Sequence, residues 1–282
     1  VCCTETPCIL DIRLSGWAGE NSACVRIANN HTNLVYKARN DEILLDLPVS
    51  ASAEERLTDK SCLNVEDIVR FADTVDPALL EPVLERQIRY NSAIAEEGIR
   101  GGWGAEIGRI LLEGANGDIQ TEAKAYAAAG SDARMSGCEM PVVILSGSGN
   151  QGITASLPVI RYAKHLGASR EQLLRALALS DLITIHQKTG IGRLSAYCGA
   201  ISAGVGAGAG ICYLQGGGYT AVAHTVVNAV AVLSGTICDG AKPSCAAKIA
   251  AAVDAGIMGY RMYLHDREFR RGEGIVSDSV DK

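Results

Sequence analysis

The stretch from residue 194 to residue 238 contains no Asp, Glu, Lys or Arg. This run limits the fold, because ~20 apolar residues can span a membrane and an uncharged helix pair can also form a buried core. Gly, Ala, Ser and Thr dominate the run, which also contains Asn228, His224 and a glycine break at 216–218. We therefore expect a closely packed helical hairpin inside a globular domain rather than a membrane hairpin.

The N-terminal part has a different pattern. Between residues 8 and 47, apolar and polar side chains alternate with a period of two, as in CILDIRL and SACVRIA. Asn-Asn and Asn-Asp pairs separate these segments at 29–30 and 40–41. Alternation of this kind with polar turns predicts an antiparallel meander.

After about residue 50 the apolar period becomes helical. Asn64, Asp76 followed by Pro77, and Ser169 with Gln172 are typical helix-start signals. The pattern places the segment GSDARMSGCEM in a loop and the start of the next helix at about residue 152. The sequence thus predicts an α+β fold, with a small antiparallel β meander in residues 1–50 followed by a large all-helical domain in residues 51–282.

Charge and cysteine content exclude some classes of protein. The net charge is −6 and the pI is about 5.4, which is not the electrostatic footprint of a nucleic-acid-binding protein. The ten cysteines lack the pattern of a small disulfide-rich domain, so we expect a reducing cytoplasm. The chain begins with Val1 and shows no signal peptide, from which we expect a fragment or a processed chain.

The stretch SGSGNQG, residues 146–152, contains the dinucleotide-binding pattern G-x-G-x-x-G. That interpretation needs a second parallel strand after the helix and an acidic residue ~20 positions on. Glu171 lies at a suitable distance, but it falls in a helix-start segment and everything after residue 152 has a helical pattern. A doubly wound sheet is therefore not expected.

An anion site remains a plausible use of the same turn. Glycines let backbone N–H groups approach a ligand, and the first amides of the following helix favour a carboxylate or phosphate. Ser148, Asn150 and Gln151 add polar side chains beside those amides. The alternative is a tight turn that serves packing alone.

Three cysteines have a spacing that suits a metal cluster. Cys238 and Cys245 flank a loop with glycine and proline, and the predicted hairpin could return Cys198 to the same place. The spacing differs from the four-ligand, closely paired pattern of structural zinc. It would suit a [4Fe–4S] cluster on three thiolates, with one iron open as a Lewis acid. Buried, unreactive cysteines are the alternative.

Several motifs together resemble one family. SGSGNQGITASLPV, SDARM, GRLSAYCGA, GTICDGAKPSCAAK, GEGIV and ACVRIANNHTNLVY are similar to segments of the iron–sulfur-dependent L-cysteine desulfidase family. They are also similar to the alpha region of bacterial iron–sulfur L-serine dehydratases. The resemblance extends over nearly the whole chain. It implies β-elimination of L-cysteine to pyruvate, ammonia and sulfide in a cytoplasmic enzyme, with L-serine dehydratase activity as the alternative.

The resemblance also implies roles for particular residues. The [4Fe–4S] cluster would be held by Cys198, Cys238 and Cys245. The turn SGSGNQG would hold the substrate carboxylate, and the substrate-binding residues would be Ser148, Gly149, Asn150, Gln151, Arg134 and Arg193, of which the two arginines would line or brace the site. Further residues that would line or brace the site are Asp132, Ser195, His31, Thr32 and Asn33, for which structural caps and salt bridges are the alternative. The family further implies a homodimer that acts on a small amino acid.

One departure from the family affects catalysis. Family members have an additional N-terminal section with a Gly-Cys-Thr-Glu-Pro motif, whose cysteine is the proposed base. This chain begins instead with VCCTETP, which we interpret as a coincidental similarity. The departure leaves the catalytic base unassigned and leaves open an inactive fragment without its cluster. A non-catalytic amino-acid-binding domain is the alternative from a different class.

Overall fold

The structure is a computed structural model that describes residues 5–6, 8, 10–29, 32–49, 59–192 and 195–281. It forms two compact units, Val1–Asp59 and Lys60–Lys282. The first unit contains a four-stranded sheet and the second unit is helical. This arrangement confirms the predicted α+β class.

The sheet is an antiparallel meander with the strand order β1-β2-β3-β4, as predicted. Its strands are β1 (Asp11–Ala18), β2 (Asn21–Ala28), β3 (Leu34–Arg39) and β4 (Glu42–Asp46). A two-pronged ion pair joins the first two strands, since Arg26 Nε and Nη2 lie 2.8 and 2.6 Å from the Asp11 carboxylate oxygens. In the antiparallel register Asp11 is opposite Ala28, and Arg26 lies two residues before Ala28 on the same strand.

The helical unit contains α1 (Val65–Thr74), α2 (Pro77–Arg100), α3 (Ile107–Glu113), α4 (Ile119–Met135), α5 (Gly149–Leu166), α6 (Arg170–Ile191), α7 (Gly199–Leu214), α8 (Tyr219–Val232) and α9 (Cys245–Leu264). The predicted starts are confirmed. Asn64 caps α1 through the amide of Asp67, Asp76 caps α2, and Ser169 with Gln172 forms a reciprocal capping box on α6. Side-chain oxygens at these positions satisfy amides that have no partner one turn earlier.

Two predicted boundaries are wrong. SDARM lies in the last turns of α4 rather than in a loop, because Asp118 caps this helix and alanines continue it to Met135. The following α5 begins at Gly149, three residues before the predicted start, since Ser148 already has extended backbone angles and acts as its N-cap residue. Arg134 therefore belongs to α4, and the residues Gly149 to Gln151 belong to α5.

The uncharged run forms α7 and α8, which lie in the interior as a hairpin packed against α9. Residues 200–212 of α7 are buried throughout. Close contact with α9 depends on glycine: a Cβ added at Gly256 would overlap the Gly204 carbonyl, and one at Gly208 would overlap Gly256. Among the residues that the structure describes, no helix has both the length and the apolar character needed to cross a membrane.

Candidate active site

Two of the three candidate cysteines are joined through their backbones. The Cys198 amide donates to Thr236 O at 2.7 Å, and the Cys238 amide donates to Ala196 O at 2.6 Å. These two bonds form a short antiparallel bridge between the segment before α7 and the segment after α8. The predicted return of the hairpin to Cys198 is therefore confirmed.

The third cysteine, Cys245, is the first residue of α9. Lys248 lies one turn further along α9 and fixes the loop between the cysteines, because its Nζ donates to Ile237 O at 3.1 Å and to Asp239 Oδ1 at 2.5 Å. Lys242 also pairs with this loop, through Asp239 O at 2.7 Å. Its ammonium therefore contacts Asp239.

The three thiols are close enough to influence one another. Burial raises the pKa of Cys198, the neighbouring Cys238 and Cys245 raise it further, and the Ala200 amide and Lys248 oppose the shift. Burial therefore disfavours the Cys198 thiolate unless a positive partner stabilises it.

Two cations share this region, Lys188 buried and Arg134 half-buried. Lys188, near the end of α6, is only 6% exposed, and burial lowers its pKa while Cys198 and Cys238 partly restore it. Burial likewise lowers the pKa of Arg134, and Cys245 partly restores it. Lys188 is thus within electrostatic range of Cys198 and Cys238, and Arg134 is within electrostatic range of Cys245.

The glycine-rich turn is a tight reversal before α5. The Leu145 and Ser148 backbones exchange two hydrogen bonds of 3.1 and 3.0 Å around Ser146 and Gly147, which both have positive φ. The Ser148 side chain does not cap the helix. The amides of the first turn, from Gly149 onwards, therefore have neither a preceding carbonyl nor a side-chain cap, which leaves them available to an anion.

Arg134 covers this helix start. Its Nη1 donates to Asn150 Oδ1 at 3.1 Å, and a Cβ added at Gly149 would overlap its guanidinium. Only glycine allows so close an approach. A second close contact lies between Gly152 and the carbonyl of Val143, which a Cβ at residue 152 would overlap. The helix start and the guanidinium together form a positive, partly dry surface.

Gln151 connects the turn to the cysteines. It is 5% exposed, and its amide lies against Gly199, where a Cβ would overlap it. Gly199 directly follows Cys198 and begins α7. Gln151 Oε1 is buried, and no described residue donates a hydrogen bond to it. The starts of α5 and α7 therefore meet at one buried, unsatisfied acceptor.

Other predicted site residues have different positions. Asp132 is fully buried and accepts from the Gly108 amide at 3.1 Å, so it caps α3, which matches the structural alternative. Ser195 Oγ accepts from the Tyr197 amide at 3.0 Å and shapes the segment before Cys198.

For four of the predicted residues the suggested role at the site is not tested. Arg193 and His31 lie outside the described residues. Thr32 and Asn33 belong to the sheet unit, where Asn33 Nδ2 donates to Ala28 O at 2.9 Å. Their suggested role at the site stays a prediction.

Sequence reasoning missed Lys188 and Lys248. Lys248 had a local signal, since it follows Cys245 by three residues on the same face of a helix. Lys188 had none, because Cys198 lies beyond the end of α6 and Cys238 is distant in the chain.

An apolar cavity of about 400 Å³ also adjoins Cys198. Its walls come from α6, α7, α8 and the segment after α9, including Ile201, Val226 and Ile275. Neither Arg134 nor Gln151 lines it. Of the cysteines, cations and turn residues described above, Cys198 alone lines this cavity.

The donor set can be tested against a metal. No group of three or more His, Cys, Asp or Glu side chains in the described ranges is gathered to hold a metal ion. The three thiols nevertheless lie on three separate segments within electrostatic range. In an iron–sulfur cluster each thiolate binds a different iron, so the thiolates need not converge on one point. In chemistry and number the donors fit a cluster better than a single ion.

Comparison with known proteins places the chain in a family of lyase-type enzymes. The family model described as the serine dehydratase alpha chain matches residues 22–282. The chain belongs to the serine dehydratase alpha chain family.

Curated relatives are similar in sequence to this chain over most of its length. A UPF0597 protein of Desulfitobacterium hafniense is 54% identical over 277 residues, which cover 98% of this chain and 64% of the relative. UPF0597 proteins of Treponema denticola and Lachnoclostridium phytofermentans are 44% and 49% identical, over 99% and 94% of this chain and 66% and 63% of their own lengths. The chain thus spans just under two thirds of these relatives. No solved structure matches it. These findings do not confirm the expectation of a fragment.

Proposed function

We propose that the chain catalyses β-elimination from a small L-amino acid, with L-cysteine as the preferred substrate. One observation carries the proposal: the open start of α5, covered by Arg134, meets the start of α7 beside Cys198 through Gln151 and Gly199. A helix start that would suit an anion is thereby adjacent to the first of the three thiols. A molecule that has a carboxylate at one end and a thiol or hydroxyl two carbons away would suit this spacing.

The carboxylate would bind at the turn. The first amides of α5 and the Arg134 guanidinium supply donors, and charge-assisted bonds to arginine are about twice as strong as neutral ones. Asn150 holds Arg134 in place through Nη1. These groups would fix the acid end and direct the β-carbon towards Cys198.

Cys198, Cys238 and Cys245 would hold a [4Fe–4S] cluster. When bound, such a cluster supplies an open iron, a Lewis acid for the leaving sulfur or oxygen. The family to which the chain belongs is linked to iron–sulfur serine dehydratases, which supports this cofactor. A reducing cytoplasm would preserve it.

Elimination removes the α-proton and the β-substituent of the substrate. Loss of a proton and hydrosulfide from cysteine leaves aminoacrylate, which tautomerises to an imine and is hydrolysed to pyruvate and ammonia. The Lys188 ammonium, buried near the Cys198 and Cys238 thiols, would stabilise the negative charge that develops on the departing group.

L-Serine is the second candidate substrate. The family model is described as a serine dehydratase, which favours a hydroxyl leaving group. The same carboxylate site would serve either amino acid, and the products would then be pyruvate and ammonia without sulfide.

A two-substrate assay tests the proposal. The full chain, purified and reconstituted without oxygen, is given L-cysteine or L-serine, and sulfide and pyruvate are measured. We expect sulfide and pyruvate in equal amounts from cysteine. Pyruvate from serine alone would support the second candidate, and no product from either would contradict both.

Arg134→Met isolates the carboxylate site. We expect kcat/KM to fall about 100-fold or more, since a buried charge pair is lost. Arg100→Met is the matched control, because Arg100 makes only an exposed ion pair with Glu97. Equal activity of the two variants would exclude Arg134 from substrate binding.

A further inference from the structure

We propose that Gln151 Oε1 accepts a hydrogen bond from the substrate ammonium and thereby selects amino acids over acids that lack the amino group. This inference rests on the proposed function. Its starting observation is the buried Oε1 atom, to which no residue in the described part of the chain donates. A buried acceptor without a donor costs free energy, so its retention at a site indicates a bound donor.

The turn has one other buried polar atom without a described partner, Ser146 Oγ, but a hydroxyl can donate as well as accept, whereas an amide oxygen only accepts. Asn150 Oδ1 already accepts from Arg134 Nη1. The cations and free amides described at this place are all donors: Arg134, Lys188 and the first amides of α5 and α7. Such a surface attracts a carboxylate but repels an ammonium. A zwitterionic substrate therefore needs an acceptor, and Gln151 provides it.

The order of the groups in space matches the order of groups along the substrate. Arg134 and Gly149 lie at one end, Gln151 follows, and Gly199 with Cys198 lies at the other end. In a β-substituted amino acid the carboxylate, the ammonium-bearing α-carbon and the leaving group follow in the same order. Gln151 would thus contact the α-carbon substituent.

Glycine at position 199 fixes the acceptor. A Cβ at this residue would overlap the Gln151 amide carbon and nitrogen. The side chain is therefore confined between two helix starts, and this confinement orients the carbonyl before the substrate binds.

Two variants separate an acceptor role from a packing role. Gln151→Met keeps the size of the side chain and removes the acceptor, whereas Gln151→Glu keeps an acceptor. Titration calorimetry on the anaerobic, reconstituted full chain measures the dissociation constants of L-cysteine and of 3-mercaptopropionate, which has no amino group. The ratio of the two constants reports recognition of the ammonium.

We expect Gln151→Met to weaken L-cysteine binding 10-fold to 100-fold and to change 3-mercaptopropionate binding less than 3-fold. Gln151→Glu should keep the preference for L-cysteine. The ligand-free Gln151→Met protein should also melt at a higher temperature, because the unsatisfied acceptor is gone. Equal loss of both ligands in Gln151→Met, or an unchanged ratio, would overturn the inference alone. Failure of the wild-type protein to bind either ligand would overturn the proposed function as well.

Discussion

The middle of α7 and its first residues differ sharply, although they belong to one helix. Around Gly204 and Gly208 the helix backbone touches the backbone of α9, and the described side chains there are small and buried. At its start the same helix presents Cys198 as an N-cap residue with no side-chain cap bond, next to the unsatisfied Gln151. The middle of α7 is therefore closely packed, whereas its start lies beside a buried polar atom that has no described hydrogen-bond partner.

This difference indicates how the fold supports the site. The glycine contacts fix α7 against α9, and these helices begin at Gly199 and Cys245. We call the close contact of Gly204 and Gly208 with α9 the glycine seam. This seam lies away from the helix starts and holds the two candidate ligands there, Cys198 and Cys245, in fixed positions. Unsatisfied groups are tolerated at the helix starts because the seam supplies stability elsewhere.

The largest expected effect comes from adding one methyl group at the contact between α7 and α9. Gly256→Ala should lower the free energy of unfolding by about 4 kcal/mol, since the added Cβ overlaps the Gly204 carbonyl. Urea denaturation measures the change. Gly190→Ala is the matched control in α6, because a Cβ there meets nothing within 4 Å, and it should stabilise by about 1 kcal/mol or less. Similar stability of the two variants would show that the seam does not fix the helices.

A buried carboxyl group between α2 and α6 sharpens the comparison. Burial raises the pKa of Asp181 to about 7, although Gln87 Nε2 donates to it at 3.0 Å. The unfolded state releases this proton near the ordinary pKa of 3.8, whereas the folded state holds it to about 7. This contribution to stability should therefore be complete below about pH 4 and fall by about 4 kcal/mol as the pH rises to 7.

Asp181→Asn tests this dependence. The amide cannot ionise, so the variant should match the wild type near pH 4 and exceed its stability by about 4 kcal/mol at pH 8. Unfolding by urea across this pH range measures both curves. Parallel curves for the two proteins would show that Asp181 ionises freely in the folded state.

The sequence was a good guide to whatever depends on local pattern. The alternation before residue 47, the caps at Asn64 and Ser169, and the burial of the uncharged run were all predicted correctly. The run also brought Cys198 back to Cys238, because a hairpin with a short break must return. These features depend on residues that are close in the chain or on one simple connection.

Features that depend on contacts between distant segments were missed. SDARM was placed in a loop because its polar residues look like loop residues, but Asp132 uses its polarity to cap α3. The contact between Gln151 and Gly199 joins two helix starts, and Lys188 reaches the thiols from a third helix. No local period carries such information, since each contact depends on how whole helices pack.

The most direct test of the central claim is iron and sulfide analysis of the full chain, purified and reconstituted without oxygen. The wild type should bind about four iron and about four sulfide per chain. Replacement of Cys198, Cys238 or Cys245 by serine should remove most of both. Cys62→Ser, at an exposed cysteine outside the site, should leave both unchanged. A wild-type protein without iron, or full iron retention in Cys238→Ser, would contradict the account.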